Sequence, residues 1–256
     1  MRKSDSLSIT HTVEIFWTGG YDSTFRILQL SMKPVIIQPY YCSDNRKSEK
    51  NELTAMAVIT KLLSERPTTR AIMKPLIVIS ATDRIVNEHI SSTWMRVREN
   101  DFFGTQYDWL ARFATAHPGI ELSVHKDDKA ILLIEKYGKL KLMEDDMAGS
   151  YYILDQENSS DDMNTLFGNY RFPLAEYTKE QMKEEYMREN ARNIMEETWF
   201  CYTPIHGKPC GKCNPCIYSI EEGMRERFSK EALVRYRLKK WKNALKGRSW
   251  KESEKK

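Results

Sequence analysis

Two clusters of residues carry spacing that suits chemistry. Four of the five cysteines fall within sixteen residues, as Cys201-x8-Cys210-x2-Cys213-x2-Cys216. Two successive C-x2-C steps bring three thiolates around one point, and Cys201 supplies a fourth. Gly207, Pro209, Gly211 and Pro215 provide the turns such a loop needs. A tetrahedral structural zinc site is the simplest reading, since four thiolates leave no open coordination position for catalysis. An iron–sulfur cluster or a redox thiol pair would also use these residue types. His206 lies inside the loop and reads as solvent-exposed rather than a ligand.

The second cluster is Thr18-Gly19-Gly20-Tyr21-Asp22-Ser23-Thr24. It follows the apolar run Val13–Trp17 and precedes helical spacing through Phe25, Ile27, Leu28 and Leu30. A strand-to-helix turn of this kind aims backbone N–H groups at one point and holds an anion at the helix N-terminus. Thr18, Ser23 and Thr24 add hydroxyls, and Asp22 suits the helix N-cap. Neither the G-x-x-x-x-G-K-[ST] phosphate loop nor G-x-G-x-x-G occurs in the chain.

The elements that must position these residues alternate. Strands are expected at Val13–Trp17, Val35–Tyr41, Pro75–Ser80 (buried) and Ile120–Val124. Helices are expected over 22–31, Ser48–Glu65, Thr105–Ala116 and Asp127–Tyr137, with Ser48 as an N-cap and Leu53, Met56, Ala57, Thr60 and Leu63 along one face. The stripe Tyr107, Leu110, Ala111 and Ala114 reads as a core face. Strands separated by helices of this length imply a parallel sheet with crossover helices. Residues 144–162 hold seven acids and no Lys or Arg, and read as a loop or lid. Thr178-Lys179-Glu180-Gln181 reads as a capping box that opens a helix to about Arg192, and a further helix is expected from about Ile217. Two regions are expected: an α/β domain over 1–175 and a helical region over 176–256 that holds the cysteines and a basic tail.

Composition narrows the class. The 256 residues are 41% hydrophobic and 11% aromatic, which excludes wholesale disorder. A mean hydropathy of −0.61 and the lack of a long apolar run exclude a membrane-spanning helix. Met1–Ser6 leads into no apolar core of a secretory signal, so a cytoplasmic, reducing location is expected, with metal rather than disulfides on the cysteines. The net charge is +4, yet residues 229–256 alone sum to +8, a tail suited to a nucleic acid or an acidic partner or to plain solvation. Cys42 reads as a partly buried thiol.

The G-G-x-D-S turn resembles the PP-loop of the N-type ATP pyrophosphatases, with Thr18 in place of the first serine. Together with Trp199-Phe200-Cys201-Tyr202, Cys210-Gly211-Lys212-Cys213-Asn214-Pro215-Cys216 and Phe172-Pro173-Leu174, it resembles the 7-cyano-7-deazaguanine synthase (QueC) family. The chain departs from that family's pattern at Ser219, at Asn214-Pro215, and in Tyr41–Arg46 and Phe103–Gln106, which suits a diverged member.

The resemblance implies an α/β fold: a Rossmann-like, HUP-type parallel sheet with helices on both faces and a C-terminal zinc-binding helical segment. It implies ATP with Mg2+ on residues 18–24, and catalytic roles for Asp22, Ser23 and Lys179, the last toward the ATP phosphates. Zn2+ on the four cysteines, one per chain, is implied as well. The implied reaction is adenylation of 7-carboxy-7-deazaguanine, displacement of AMP by ammonia to the amide, and dehydration to the nitrile preQ0 of queuosine biosynthesis. QueC-like proteins also occur in anti-phage defence operons, where the deazaguanine is joined to a protein or nucleic-acid acceptor. A homodimer is a compatible assembly, and no membrane partner is expected. A non-catalytic nucleotide-binding scaffold is the reading of another class, and the intact Asp22-Ser23 favours the enzyme.

Overall fold

The structure, a computed structural model, describes residues 10–221 and 223–245. The N-terminal residues 1–6 and the part of the basic tail beyond residue 245 lie outside the described residues.

Strand β1 (Thr12–Phe16) leads through the glycine turn into helix α1 (Tyr21–Ser31), then β2 (Ile36–Cys42) and α2 (Glu49–Glu65). Strands β3 (Ile72–Met73) and β4 (Ile77–Ile79), helices α3 (Glu88–Asn100) and α4 (Gln106–Ala116), strand β5 (Ile120–Glu121) and helix α5 (Lys129–Tyr137) follow. A hairpin of β6 (Leu140–Met143) and β7 (Tyr151–Leu154), helix α6 (Asp161–Phe167) and strand β8 (Tyr170–Arg171) complete the sheet region. Four helices follow, α7 (Lys179–Arg188), α8 (Arg192–Glu196), α9 (Asn214–Glu221) and α10 (Lys230–Leu245), with the cysteine loop between α8 and α9.

The main sheet runs β3-β2-β1-β5-β8, with β4 also paired to β2, and every pairing in it is parallel. Period-two alternation sends the strands' side chains into two separate cores. Val13, Ile15, Trp17, Ile37 and Tyr41 pack on α1 and α2, and Met182, Ala191, Ile194 and Met195 join the same core. Phe16, Tyr40 and Cys42 face the other side, against Ile90, Val97, Tyr107, Leu110, Ala111, Ala114, Ile131 and Phe167. Helices therefore cover both faces of a parallel sheet, as expected. Strands β2 and β5 flank β1, so α1 and α5 leave toward opposite faces. The crevice between them is the topological switch point where α/β sheets bind ligands, and the glycine turn sits there.

Several local expectations are corrected. Pro75–Ser80 forms only a short strand, and its Ile77 and Val78 are 44% and 49% exposed because β4 lies at an edge. An apolar run does not reveal how many neighbours its strand has. The core face of α2 is Glu52, Ala55, Met56, Ile59 and Leu63, whereas Ala57 is exposed. Ser48 precedes α2 but makes no side-chain capping bond. Helix α3 lies outside the expected elements: only Ile90, Thr93 and Val97 are buried on it, too few to mark a helical stripe in the sequence. The acidic segment is ordered rather than a plain loop. Asp145 Oδ1 accepts the amides of Met147 and Ala148 at 2.9 and 2.8 Å in the turn between β6 and β7. Ser160 then caps α6.

Candidate nucleotide site and metal centre

The turn after β1 is shaped by contact on two sides. Gly19 has φ +67°, and a Cβ there would lie 3.0 Å from the Glu52 carbonyl oxygen and 3.1 Å from Met56 Cγ on α2. Only glycine combines that backbone conformation with that approach. Gly20 is extended and is the residue preceding α1, so the N-cap is Gly20 and not Asp22, which lies in the first turn. The Gly20 amide donates to Thr18 Oγ1 at 3.4 Å. The Thr18 amide donates to Ser23 Oγ, whose hydroxyl donates to the Gly20 carbonyl, both at 3.5 Å. Thr24 is fully buried, its Oγ1 accepting Trp17 Nε1–H at 3.0 Å. These ties curl the backbone around the start of α1. The first-turn N–H groups of a helix have no intrahelical partner, and they favour an anion.

Lys179 reaches this point from 157 residues away. Its helix begins at a complete capping box: Thr178 Oγ1 accepts the Gln181 amide, and Gln181 Oε1 accepts the Thr178 amide. Gln29 and Glu185 bond α1 to α7 at 2.7 Å, and Tyr177 packs edge-on to Phe25. So positioned, the Lys179 ammonium forms an ion pair with Asp22 Oδ1 and stands 4.7 Å from the centre of the Tyr21 ring. The structure thus brings Thr18, Gly19, Gly20, Tyr21, Asp22, Ser23 and Lys179 together at the start of α1, with Thr24 buried just behind.

Two buried polar groups beside the loop escape sequence reasoning. Arg26 holds Glu121 of β5 bidentately at 2.6 and 2.7 Å, with both side chains almost fully buried. Glu52 accepts from the Tyr41 hydroxyl at 2.7 Å and from Arg46 at 2.6 Å. Burial first, and then the Glu52 carboxylate, push the Tyr41 hydroxyl well above its ordinary range. The one signal for Arg26 is a charged residue inside the apolar stretch Phe25–Leu28, which does not reveal its partner; Glu52 follows the polar run Ser48–Asn51 and carries no such signal.

The four cysteine sulfurs all lie within 4.8 Å of one another. Cys210 and Cys216 Sγ are 3.9 Å apart, as are Cys201 and Cys213 Sγ. Thiolates at about 2.3 Å around one tetrahedral ion stand roughly 3.8 Å apart. The donor set therefore fits a single zinc, whereas an iron–sulfur cluster shares its thiolates among several irons and spreads them wider. The amides of Lys212 and Cys213 and the Thr203 hydroxyl donate to Cys210 Sγ, each at 3.3 Å, and the Cys210 amide donates to Cys201 Sγ at 3.2 Å. Such bonds orient the sulfurs and favour thiolate. His206 is exposed and outside the cluster.

Helix α10 closes this centre from outside. Gly211 lies so near it that a Cβ would fall 2.1 Å from the Ala232 carbonyl oxygen. Arg235 Nε donates to the Cys210 carbonyl at 2.8 Å, and Lys239 Nζ to that of Lys212 at 2.7 Å. The basic helix is thus partly a lid on the cysteine loop. Its outer face exposes Arg237, Lys240 and Lys242.

The cysteine segment and the glycine turn touch. The Trp199 amide, two residues before Cys201, donates to the Gly19 carbonyl at 2.8 Å.

The family model described as Queuosine biosynthesis protein QueC matches residues 163–226. That stretch, about a quarter of the chain, contains Lys179 and all four cysteines and is similar to the QueC family; the glycine turn lies before it. No curated protein matches the chain. Among the described residues no helix is long and apolar enough to cross a membrane.

Proposed function

We propose that this chain is an ATP-dependent, AMP-forming ligase that activates the carboxylate of 7-carboxy-7-deazaguanine. One observation carries the reading. Lys179, inside the QueC-matching segment, meets Asp22 of the glycine turn at the N-terminus of α1. Two features far apart in sequence and independently suited to phosphate converge on one point.

A carboxylate resists attack by ammonia because its oxygen is a poor leaving group. Attack of the carboxylate oxygen on the α-phosphorus of ATP expels pyrophosphate and makes AMP the leaving group. Ammonia then displaces AMP to give the amide. A second activation at the amide oxygen, with loss of AMP and a proton, gives the nitrile. The chain's part is to hold and neutralise the departing pyrophosphate. The first-turn amides of α1 and the hydroxyls of Thr18 and Ser23 face it, and Lys179 exchanges its Asp22 partner for phosphate oxygens. Mg2+ would arrive mainly on the phosphates, where it neutralises charge, with Asp22 the nearest carboxylate. The four cysteines would hold a zinc with no open position, a structural role.

The test is release of AMP and pyrophosphate when 7-carboxy-7-deazaguanine and ammonium are added with ATP. A folded protein that binds ATP but releases neither is the non-catalytic scaffold instead. A second reading keeps the activation and replaces ammonia by an amine of a protein or nucleic acid; the exposed Arg237, Lys240 and Lys242 favour it. Retention of the deazaguanine on a macromolecule after denaturation would separate it from the first.

A further inference from the structure

The phosphate turn is wedged between two supports. On one side stands α2, whose Glu52 carbonyl and Met56 leave no room for a side chain at Gly19. On the other stands the segment Thr198–Cys201. The Trp199 amide donates to the Gly19 carbonyl at 2.8 Å, and the Trp199 carbonyl lies 3.8 Å from where a Cβ on Gly20 would sit. This segment is itself pinned from within. Trp199 Nε1 donates to the Cys201 carbonyl at 2.8 Å, and Cys201 Sγ accepts the Cys210 amide at 3.2 Å. Arg227 donates to the carbonyls of Thr198 and Glu196 and lies over the Phe200 ring. Trp199 packs against both the core under α1 and the small core around the cysteines. A second strut joins the same parts, from Asn51 Nδ2 on α2 to the Gly207 carbonyl at 3.2 Å. The line Gly19–Trp199–Cys201–Cys210 is therefore a continuous chain of covalent and hydrogen bonds between turn and metal centre.

We propose that Trp199 is a positioning residue, and that its backbone N–H brace couples the metal centre to the nucleotide turn. Filling either site then strengthens the other. This rests on the reading that ATP binds at residues 18–24. The Gly19 carbonyl must point away from the phosphates for the turn's amides to point toward them, and the Trp199 amide holds it there. Loss of the metal frees Cys201, and with it the residue two positions before. Coupling between binding sites is reciprocal, so the factor by which metal tightens ATP equals the factor by which ATP tightens metal. An ordinary backbone hydrogen bond commands roughly 2- to 10-fold.

The experiment uses zinc-loaded full-length protein. Zinc release to a chromogenic chelator is timed with and without Mg2+–ATP in the absence of acid substrate, and ATP affinity is measured by calorimetry. Exchange of the Trp199 amide is followed by mass spectrometry. We expect ATP to slow zinc release about 2- to 10-fold and to slow exchange at Trp199. Trp199→Pro removes the N–H, and Trp199→Phe keeps it. The proline variant should lose the ATP effect on zinc release and the phenylalanine variant should retain it. If the proline variant fails to fold, the wild-type release and exchange data decide alone. Tight ATP binding that leaves both zinc release and Trp199 exchange unchanged overturns the coupling while sparing the nucleotide site. Absence of any ATP binding overturns both.

Discussion

Substituting Gly19 by alanine tests the architecture of the turn most directly. Two costs arise. At φ +67° an L-residue pays about 1–2 kcal/mol relative to glycine. The added Cβ also falls 3.0 Å from a backbone oxygen of α2 and 3.1 Å from Met56 Cγ. Helix backbone cannot step aside as a flexible side chain can, and overpacking of this kind costs about 1–3 kcal/mol. The total is about 2–5 kcal/mol, or a fall in Tm of roughly 4–20 °C for a chain of this size. Gly20→Ala provides the contrast. Gly20 has φ −75° and ψ 169°, a conformation open to any residue. Its Cβ would meet only Thr18 Oγ1 at 3.2 Å and the Trp199 carbonyl at 3.8 Å. Its stability should stay within about 1 kcal/mol of the parent. Urea titration with thermal melting of both variants reads the difference, and calorimetry reads ATP affinity. Gly20→Val should fold yet form no AMP, because a branched side chain enters the space where the turn's amides converge. Equal destabilisation by alanine at positions 19 and 20, or no loss at 19, would refute the steric account.

Lys179→Met should lower kcat/KM for ATP at least tenfold while changing stability by less than about 1 kcal/mol, since the pair with Asp22 is partly exposed; steady-state kinetics with circular dichroism checks this. Burial pushes the Cys42 thiol up to about 12, so the folded state favours the neutral form. That contribution is fully present below the unfolded thiol's pKa near 9 and is lost as pH rises toward 12; alkylation with iodoacetamide at pH 8 should spare Cys42 until urea is added. Purified protein should carry about one zinc per chain, and Cys213→Ser should lose it and cost solubility, as elemental analysis and sedimentation will report. Truncation after residue 230 would remove the Ala232, Arg235 and Lys239 contacts to the cysteine loop and should release zinc, whereas truncation after residue 245 should keep it.

Much of this molecule was legible from residues alone, where the determining physics is local. Alternating apolar runs separated by helical spacing gave the parallel sheet, because period and crossover length are properties of short windows. The capping box at Thr178 was readable for the same reason: both of its hydrogen bonds span three residues. The cysteine spacing needed only loop closure over sixteen residues. Three things were decided by tertiary structure. Whether Ile77 and Val78 are buried depends on whether another strand lies beside β4, which no window of sequence contains. The partner of Arg26 is Glu121, 95 residues away, and a buried charge announces a need without naming what meets it. The Trp199 amide meeting Gly19 is the plainest case. The donor is a backbone group that every residue but proline carries, so no side-chain type could have signalled it. Only the packing of the Thr198–Cys201 segment against the switch point put it within 2.8 Å of the turn.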